Sequence, residues 1–221
     1  MRKHEQSLAD RFNNYLARKA SLKGIAVEAF SLDGQDSLVG ADYVLADSHR
    51  FALVEFKYTQ HDLVSEAHKP RRLTLCYGLQ MYADMRQLHD QCHFVAWSDY
   101  PSMECKVNIY RLEVCNRRVF GSECDLPDEF GDVSKRIDAD QFSNDFLGPL
   151  GIRSLSLEDF ETYLTWVLES TSSATTSTFE LIAFDPDAQN LVLAPLTSLR
   201  AAQDWIQRNR PSLNPSPWMR P

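Results

Sequence analysis

Between Arg2 and Lys23 the apolar residues Leu8, Phe12, Tyr15, Leu16 and Ala20 return every three or four positions among polar ones. That is the period of an amphipathic helix, and Gly24 follows where a helix end favours a residue free to take a positive φ. The pattern then shortens. Residues 25–32 (IAVEAFSL) predict a strand closed by a turn at Asp33-Gly34. Gly40 to Ala46 and Phe51 to Tyr58 predict two further strands, joined by Asp47-Ser48-His49-Arg50, a connection short enough for a hairpin.

Helical spacing returns at Arg71 to Leu88, where Leu75, Leu79, Tyr82 and Met85 mark one face, and strand character returns at 93–98 and 106–114. Gly121 to Gly151 is acidic and broken by Pro and Gly, which predicts a connecting region with a short helix. Ser156 to Glu169 predicts a helix opened by Ser156 with Asp159 three residues on. The tract STSSATTST at 170–178 reads as a polar linker. Residues 179–185 and 190–196 flank Pro186-Asp187-Ala188-Gln189 as a hairpin, and Thr197 to Arg208 predicts a closing helix before a Pro-rich tail. The order of helix, three strands, helix and two strands gives an α/β or α+β sandwich. We divide it into a core at 1–120, an acidic connecting region at 121–155 and a smaller α+β accessory region at 156–221. No internal repeat is present.

Charge changes this picture more than composition does. The formal net charge of −8 excludes a broadly basic nucleic-acid coat protein, and 43% hydrophobic residues suffice for a full core. Residues 1–120 carry 16 basic and 15 acidic side chains, while residues 121–221 carry 7 and 16. The first half can therefore face a polyanion, and the second suits a protein partner or solvation. The five cysteines never form CxxC, which predicts reduced thiols rather than a disulfide framework or a zinc or iron–sulfur site. No apolar run approaches the roughly 18 residues of a membrane span, and the polar opening MRKHEQSLADRF lacks a signal-peptide core. The expectation is a cytoplasmic protein with no membrane partner.

The hairpin carries the chemistry. A turn centred between Ser48 and His49 pairs Ala46 with Phe51 and Asp42 with Glu55, so the two carboxylates share a face. Directly opposed Cβ atoms lie about 4.5–5.5 Å apart, and Lys57, two residues beyond Glu55, projects on that same face about 7 Å along the strand. Two hard oxygen ligands beside an ammonium group suit Mg²⁺ or Mn²⁺ and a water activated to attack a phosphodiester.

Gly40-Ala41-Asp42 followed by Glu55-Phe56-Lys57 resembles the D…(D/E)xK signature of the PD-(D/E)XK nuclease superfamily, and LQMYA at 79–83 is similar to the Gln-bearing helix of its RecB-like members. The resemblance covers roughly residues 1–115 and implies a restriction-endonuclease-like αβββαβ core. It also implies metal ligation by Asp42, Glu55, the Phe56 carbonyl and, from an outer position, Glu5. Lys57 would position or polarise the attacking water, and Gln80 would orient the water or a backbone phosphate. Ala41 stands where many members have Pro, and Gln80 and Tyr82 are closer than in the QxxxY of many RecB-like members. The implied function is Mg²⁺- or Mn²⁺-dependent cleavage of DNA, as a subunit or partner-directed enzyme of defence, repair or mobile elements, with a protein partner or homo-oligomer formed through the acidic C-terminal half.

Lys69, Arg71 and Arg72 form a basic cluster before the second helix, either a phosphate clamp or a solvated face. His89 and His93 are four apart but fall on different predicted elements, so they read as separate histidines. An alternative for the whole chain is a nuclease-fold scaffold without turnover that works through its acidic C-terminal half.

Overall fold

The structure is a computed structural model that describes residues 2–32, 36–99, 101–128, 132–171, 181–184, 193–196 and 198–208. The turn at Asp33-Gly34, most of the 170–178 tract, the turn at Pro186 to Gln189 and the Pro-rich tail lie outside the described residues. Helix α1 (Arg2–Leu22) ends where its periodicity ends: Gly24 takes φ +66, and the N–H groups of Lys23, Gly24 and Ile25 return to the carbonyls of Ala20 and Ser21. Strands β1 (Val27–Ser31), β2 (Tyr43–Asp47) and β3 (Arg50–Thr59) follow as an antiparallel meander, with the short helix α2 (Asp36–Val39) between the first two. The β2–β3 pairs run from Ala46↔Phe51 to Tyr43↔Val54, the register expected from the turn. Asp47 fixes that turn by accepting the N–H groups of His49 and Arg50 at 2.7 and 2.8 Å.

Alternation along β3 divides the molecule into two cores. Phe51 and Leu53 face one side with Val95 and Trp97, whereas Ala52, Val54 and Phe56 face the other beneath Ala9, Phe12 and Leu16 of α1. Strand β4 (His93–Asp99) runs parallel to β3, which demands a long crossover. The crossover consists of a 3-10 segment (Gln60–His68), helix α3 (Arg72–Met81) and helix α4 (Ala83–Cys92). Beyond it come β5 (Glu104–Ile109), helices α5 (Tyr110–Val114) and α6 (Arg117–Phe120), β6 (Ile137–Asp138), helix α7 (Ala139–Phe146) and β7 (Leu155–Ser156). Among the described residues these make an α/β protein with one mixed seven-stranded sheet in the order β1-β2-β3-β4-β5-β6, β7 pairing with Arg50 and Phe51 of β3.

Four expectations change. The single helix over 71–88 is two, because Tyr82 leaves helical geometry at φ −107 and ψ 95. Helix α8 (Leu157–Thr171) causes the break: Trp166 lies where a Cβ on Gly78 would be 2.9 Å from its ring, Tyr82 packs edge-on against it, and Arg86 Nη1 approaches the freed carbonyls of Leu79 and Gln80 at 3.4 Å. The strand expected over 106–114 stops at Ile109, where Asn108 folds back to accept the Ile109 N–H at 2.8 Å and Tyr110 turns into the core.

The boundaries at 120/121 and 155/156 are not breaks in packing. Phe142 and Phe146 belong to the core under α1, while Phe160, Tyr163, Leu164 and Val167 complete the other. Leu181 of β8 (Leu181–Phe184) joins that second core, as do Leu199, Ala202 and Ile206 of helix α9 (Leu199–Arg208). Strand β8 pairs with β9 (Leu193–Leu196) in a separate two-stranded sheet. Finally, Cys76 and Cys115 form a disulfide across 39 residues of sequence, joining α3 to the end of α5, while Cys92, Cys105 and Cys124 remain thiols. Spacing alone could not foresee a bridge between elements that only the crossover brings together. Reduction is expected to lower unfolding stability by about 2–4 kcal/mol for a loop of this size, seen as a lower urea midpoint with a phosphine reductant; an unmoved midpoint would contradict it.

His93, fully buried at the start of β4, ties α8 to the residues just before β2. Its Nε2 lies 2.7 Å from the Gly40 carbonyl and its Nδ1 2.8 Å from Tyr163 Oη, so neither nitrogen is available to a metal although the His89 ring is 4.9 Å away. Burial, then the neighbouring His89, holds its pKa well below the ordinary value. The folded state therefore refuses a proton that the unfolded chain accepts, and stability is lost as pH falls below about 6.5, by up to about 1.4 kcal/mol per pH unit. Urea unfolding of wild type and His93→Gln between pH 7.5 and 5.5 isolates this contribution; equal slopes in the two proteins would refute it.

Candidate metal centre

The site forms where the hairpin meets the crossover. Asp42 stands one residue before β2, Glu55 and Lys57 project from the same face of β3, and Glu5 comes from the first turn of α1. The Asp42 N–H donates to the Val54 carbonyl at 3.0 Å, and Asp42 Oδ2 accepts the Phe56 N–H at 2.7 Å, which ties this carboxylate to the strand carrying Glu55. Glu5, Asp42 and Glu55 each bring a carboxylate oxygen within 4.8 Å of the others. Glu5 and Asp42, with Lys57 and Lys69, line a cavity of about 940 Å³, and Glu55 is buried next to them.

Glu55 is fully buried, and its two oxygens differ. Oε1 lies 2.5 Å from both Lys57 Nζ and Lys69 Nζ, whereas Oε2 is buried with no hydrogen-bond partner. Behind it, also fully buried, Glu66 pairs through Oε1 with Lys57 at 2.8 Å and Lys69 at 3.0 Å, and through Oε2 with Arg72 Nε at 3.1 Å and Tyr110 Oη at 2.6 Å. Both carboxylates thus share the same two ammonium groups. Glu66 has a guanidinium and a phenol besides, and despite burial the charges of Lys57, Lys69 and Arg72 hold its pKa below the ordinary range. Burial, together with the charges of Glu66 and Asp42, pushes Glu55 up to about 8. Burial also raises Asp42. Lys57 stays charged: burial opposes its proton, but the Glu55 and Glu66 carboxylates more than offset it.

The donor set fits a divalent cation. Oxygens on opposite sides of Mg²⁺ lie roughly 4.2 Å apart, and on opposite sides of Ca²⁺ up to roughly 5 Å, so a spread within 4.8 Å closes with a small side-chain movement. A buried carboxylate oxygen without a partner is costly, and a cation at Glu55 Oε2 would remove that cost. It would also relieve the repulsion among Glu5, Asp42 and Glu55.

The other expected site residues are distributed differently. Phe56 lines the cavity with its side chain in the α1 core. Lys69 lines it too, but as an ion-pair partner of Glu55 rather than an open phosphate contact. Arg72 is only 1% exposed; it donates to Glu66 and to the Asp36 carbonyl, so it is an internal strut and not a DNA contact. Arg71, at φ +71, makes the turn after Pro70 that lets Lys69 and Arg72 reach the same glutamate, and it does not line the cavity. Gly40, at φ +85, is required beside them, since a Cβ there would meet His93 at 3.2 Å and Arg72 at 3.3 Å. Gln80 is not at the site: it is exposed, eight residues beyond Arg72 and therefore about 12 Å along the helix, with Nε2 3.4 Å from the Asp125 carbonyl.

Glu66 and Tyr110 are the members that the sequence pattern did not single out. Leu63 and Glu66 are both buried, three residues apart in the 3-10 segment, where positions i and i+3 lie over one another. That spacing was the available signal, hidden because the segment has no α-helical period. No family model, curated protein or solved structure matches the chain.

Proposed function

We propose that this chain is a divalent-metal-dependent phosphodiesterase acting on DNA, of the PD-(D/E)XK nuclease kind. One observation carries the reading: three carboxylates converge within 4.8 Å, one bears a buried oxygen without a partner, and the Lys57 ammonium sits 2.5 Å from that same carboxylate's other oxygen. The order α1, three antiparallel strands, crossover helices and parallel β4 also supports a restriction-endonuclease-like αβββαβ core.

Glu5, Asp42 and Glu55 would hold Mg²⁺ or Mn²⁺, with the Phe56 carbonyl as a further donor. When bound, the cation supplies Lewis acidity toward a phosphate oxygen and lowers the pKa of water. Lys57 Nζ, clamped between Glu55 and Glu66, offers a fixed positive charge to orient the attacking water and to offset charge developing on the phosphate. Lys69 adds a second ammonium at the cavity wall. Water adds to phosphorus, the bond to one ester oxygen breaks, and that oxygen leaves with a proton. Because the net charge is −8, delivery to DNA by a protein partner is consistent with this reading.

The test is incubation of the full chain with single- and double-stranded DNA, supercoiled plasmid and RNA, in Mg²⁺, Mn²⁺ or EDTA. DNA cleavage with either metal and none in EDTA is expected. Intact substrates under every condition would overturn the proposal.

A further inference from the structure

We infer that a second subsite beside the metal cluster takes an unpaired nucleobase of single-stranded DNA, an inference that rests on the nuclease reading of the neighbouring site. A second cavity, of about 420 Å³, is lined by His4, Leu8, Arg11, Phe12, Tyr58 and Met103, among others. Its size is that of a small-molecule pocket, roughly 300–1,000 Å³. Tyr58 lines both cavities. It stands between Lys57 and Thr59, where the pairing of β3 with β4 shifts register, and its ring stacks on His4 of α1, so one residue belongs to the walls of both spaces.

The N-terminal half of α1 stands between the two spaces. Glu5, Gln6 and Ala9 line the first, while His4, Leu8, Arg11 and Phe12 line the second. The His4 and Tyr58 rings stack on each other at 4.9 Å with 30° between planes, which leaves the outer face of the exposed His4 ring for a base, and Met103, 58% exposed, lines the same pocket. Helix α1 carries five basic and two acidic side chains in a chain whose total is −8. Of these Arg11 lines the pocket, and a cation beside aromatic rings is how unpaired strands are held: cations follow the phosphates and aromatic faces take the bases. A phosphate at the Glu5–Asp42–Glu55 cluster would leave an adjacent base at Tyr58. Bases in a duplex are closed within the stack and cannot enter such a pocket without being extruded.

The experiment compares binding of labelled oligothymidylate and of an abasic oligomer with the same length and charge, by fluorescence anisotropy in EDTA. Repulsion by the acid cluster is common to both strands and cancels in the ratio. Wild type is expected to bind the base-bearing strand about tenfold more tightly. Tyr58→Leu and His4→Ala are each expected to bring the ratio toward one, and the second alters an exposed side chain should the first fail to fold. A wild-type ratio near one, a ratio unmoved in His4→Ala, or thymidine monophosphate competing as strongly as the oligomer would overturn the proposal. A tenfold ratio without hydrolysis in the metal assay would sink the nuclease reading and leave the base subsite standing. Hydrolysis with a ratio near one would do the reverse.

Discussion

Glu55→Gln is expected to reduce metal-dependent DNA cleavage by at least about a hundredfold, the upper end of what loss of a mere outer-shell partner costs, while leaving the protein folded and no less stable at pH 7. The two effects separate because Glu55 is fully buried beside Asp42 and Glu66, which raise its pKa to about 8. A group whose folded-state pKa is raised above the unfolded value contributes most to stability at low pH and loses that contribution as pH rises through its folded pKa. The surroundings of Glu55 therefore oppose its charge, and a neutral amide of the same shape keeps an oxygen toward Lys57 and Lys69. Metal binding instead needs the charged oxygen. Titration calorimetry with Mn²⁺ should show at least tenfold weaker binding in Glu55→Gln. In Lys57→Met binding is retained while cleavage falls by about 10²–10³, the loss expected for one fixed electrostatic donor. Wild-type cleavage in both variants would leave the acid cluster without a catalytic role.

Glu66→Ala should be the most destabilising single change near the site, by about 3–5 kcal/mol, because it removes the common partner of several buried groups. Lys57, Arg72 and Tyr110 all bond to Glu66 and are themselves 3% exposed or less. Without the carboxylate, two cations face each other across a dry space. Glu66→Gln, which can still accept from Arg72 and Tyr110, should lose less. Urea unfolding measures both; the midpoint should drop with an unchanged slope, and a Glu66→Ala midpoint equal to wild type would show that the cluster does not hold the crossover to the sheet.

Much of this site was legible because it depends on short-range order. A four-residue turn fixes the register of β2 on β3, so Asp42, Glu55 and Lys57 could be set on one face from numbering alone; the Cα pairs keep that register from Ala46↔Phe51 to Tyr43↔Val54, and the Asp42 and Glu55 carboxylates meet just beyond it. Glu5 was reached only through the family resemblance, since an acidic residue in the first turn of a helix is also what the helix dipole favours. Gln80 failed for a long-range reason: its helix bends at Tyr82 around Trp166, a residue 84 positions later in the chain, and its N-terminal end rather than its middle meets the site. Arg72 failed because a cation beside Pro70 looks solvent-facing until Glu66 is known to be buried beneath it. The disulfide and the inclusion of Phe142, Phe160 and Leu199 in the two cores were equally invisible, since both arise from contacts between distant segments rather than from local periodicity.

The pairing of β7 with the first residues of β3 joins the strand of the acid cluster to chain that is made much later. A ribosome that has released only the first 120 residues has already made every carboxylate and lysine of the metal cluster. Phe51 and Leu53 would still wait for the ring of Phe160 and the rest of α8, and Arg50 for its backbone partner Ser156. The core on the Glu55 side of the sheet is thus completed by residues of the last third of the chain, and a product ending at residue 120 would lack Phe160, Tyr163 and Val167 from it.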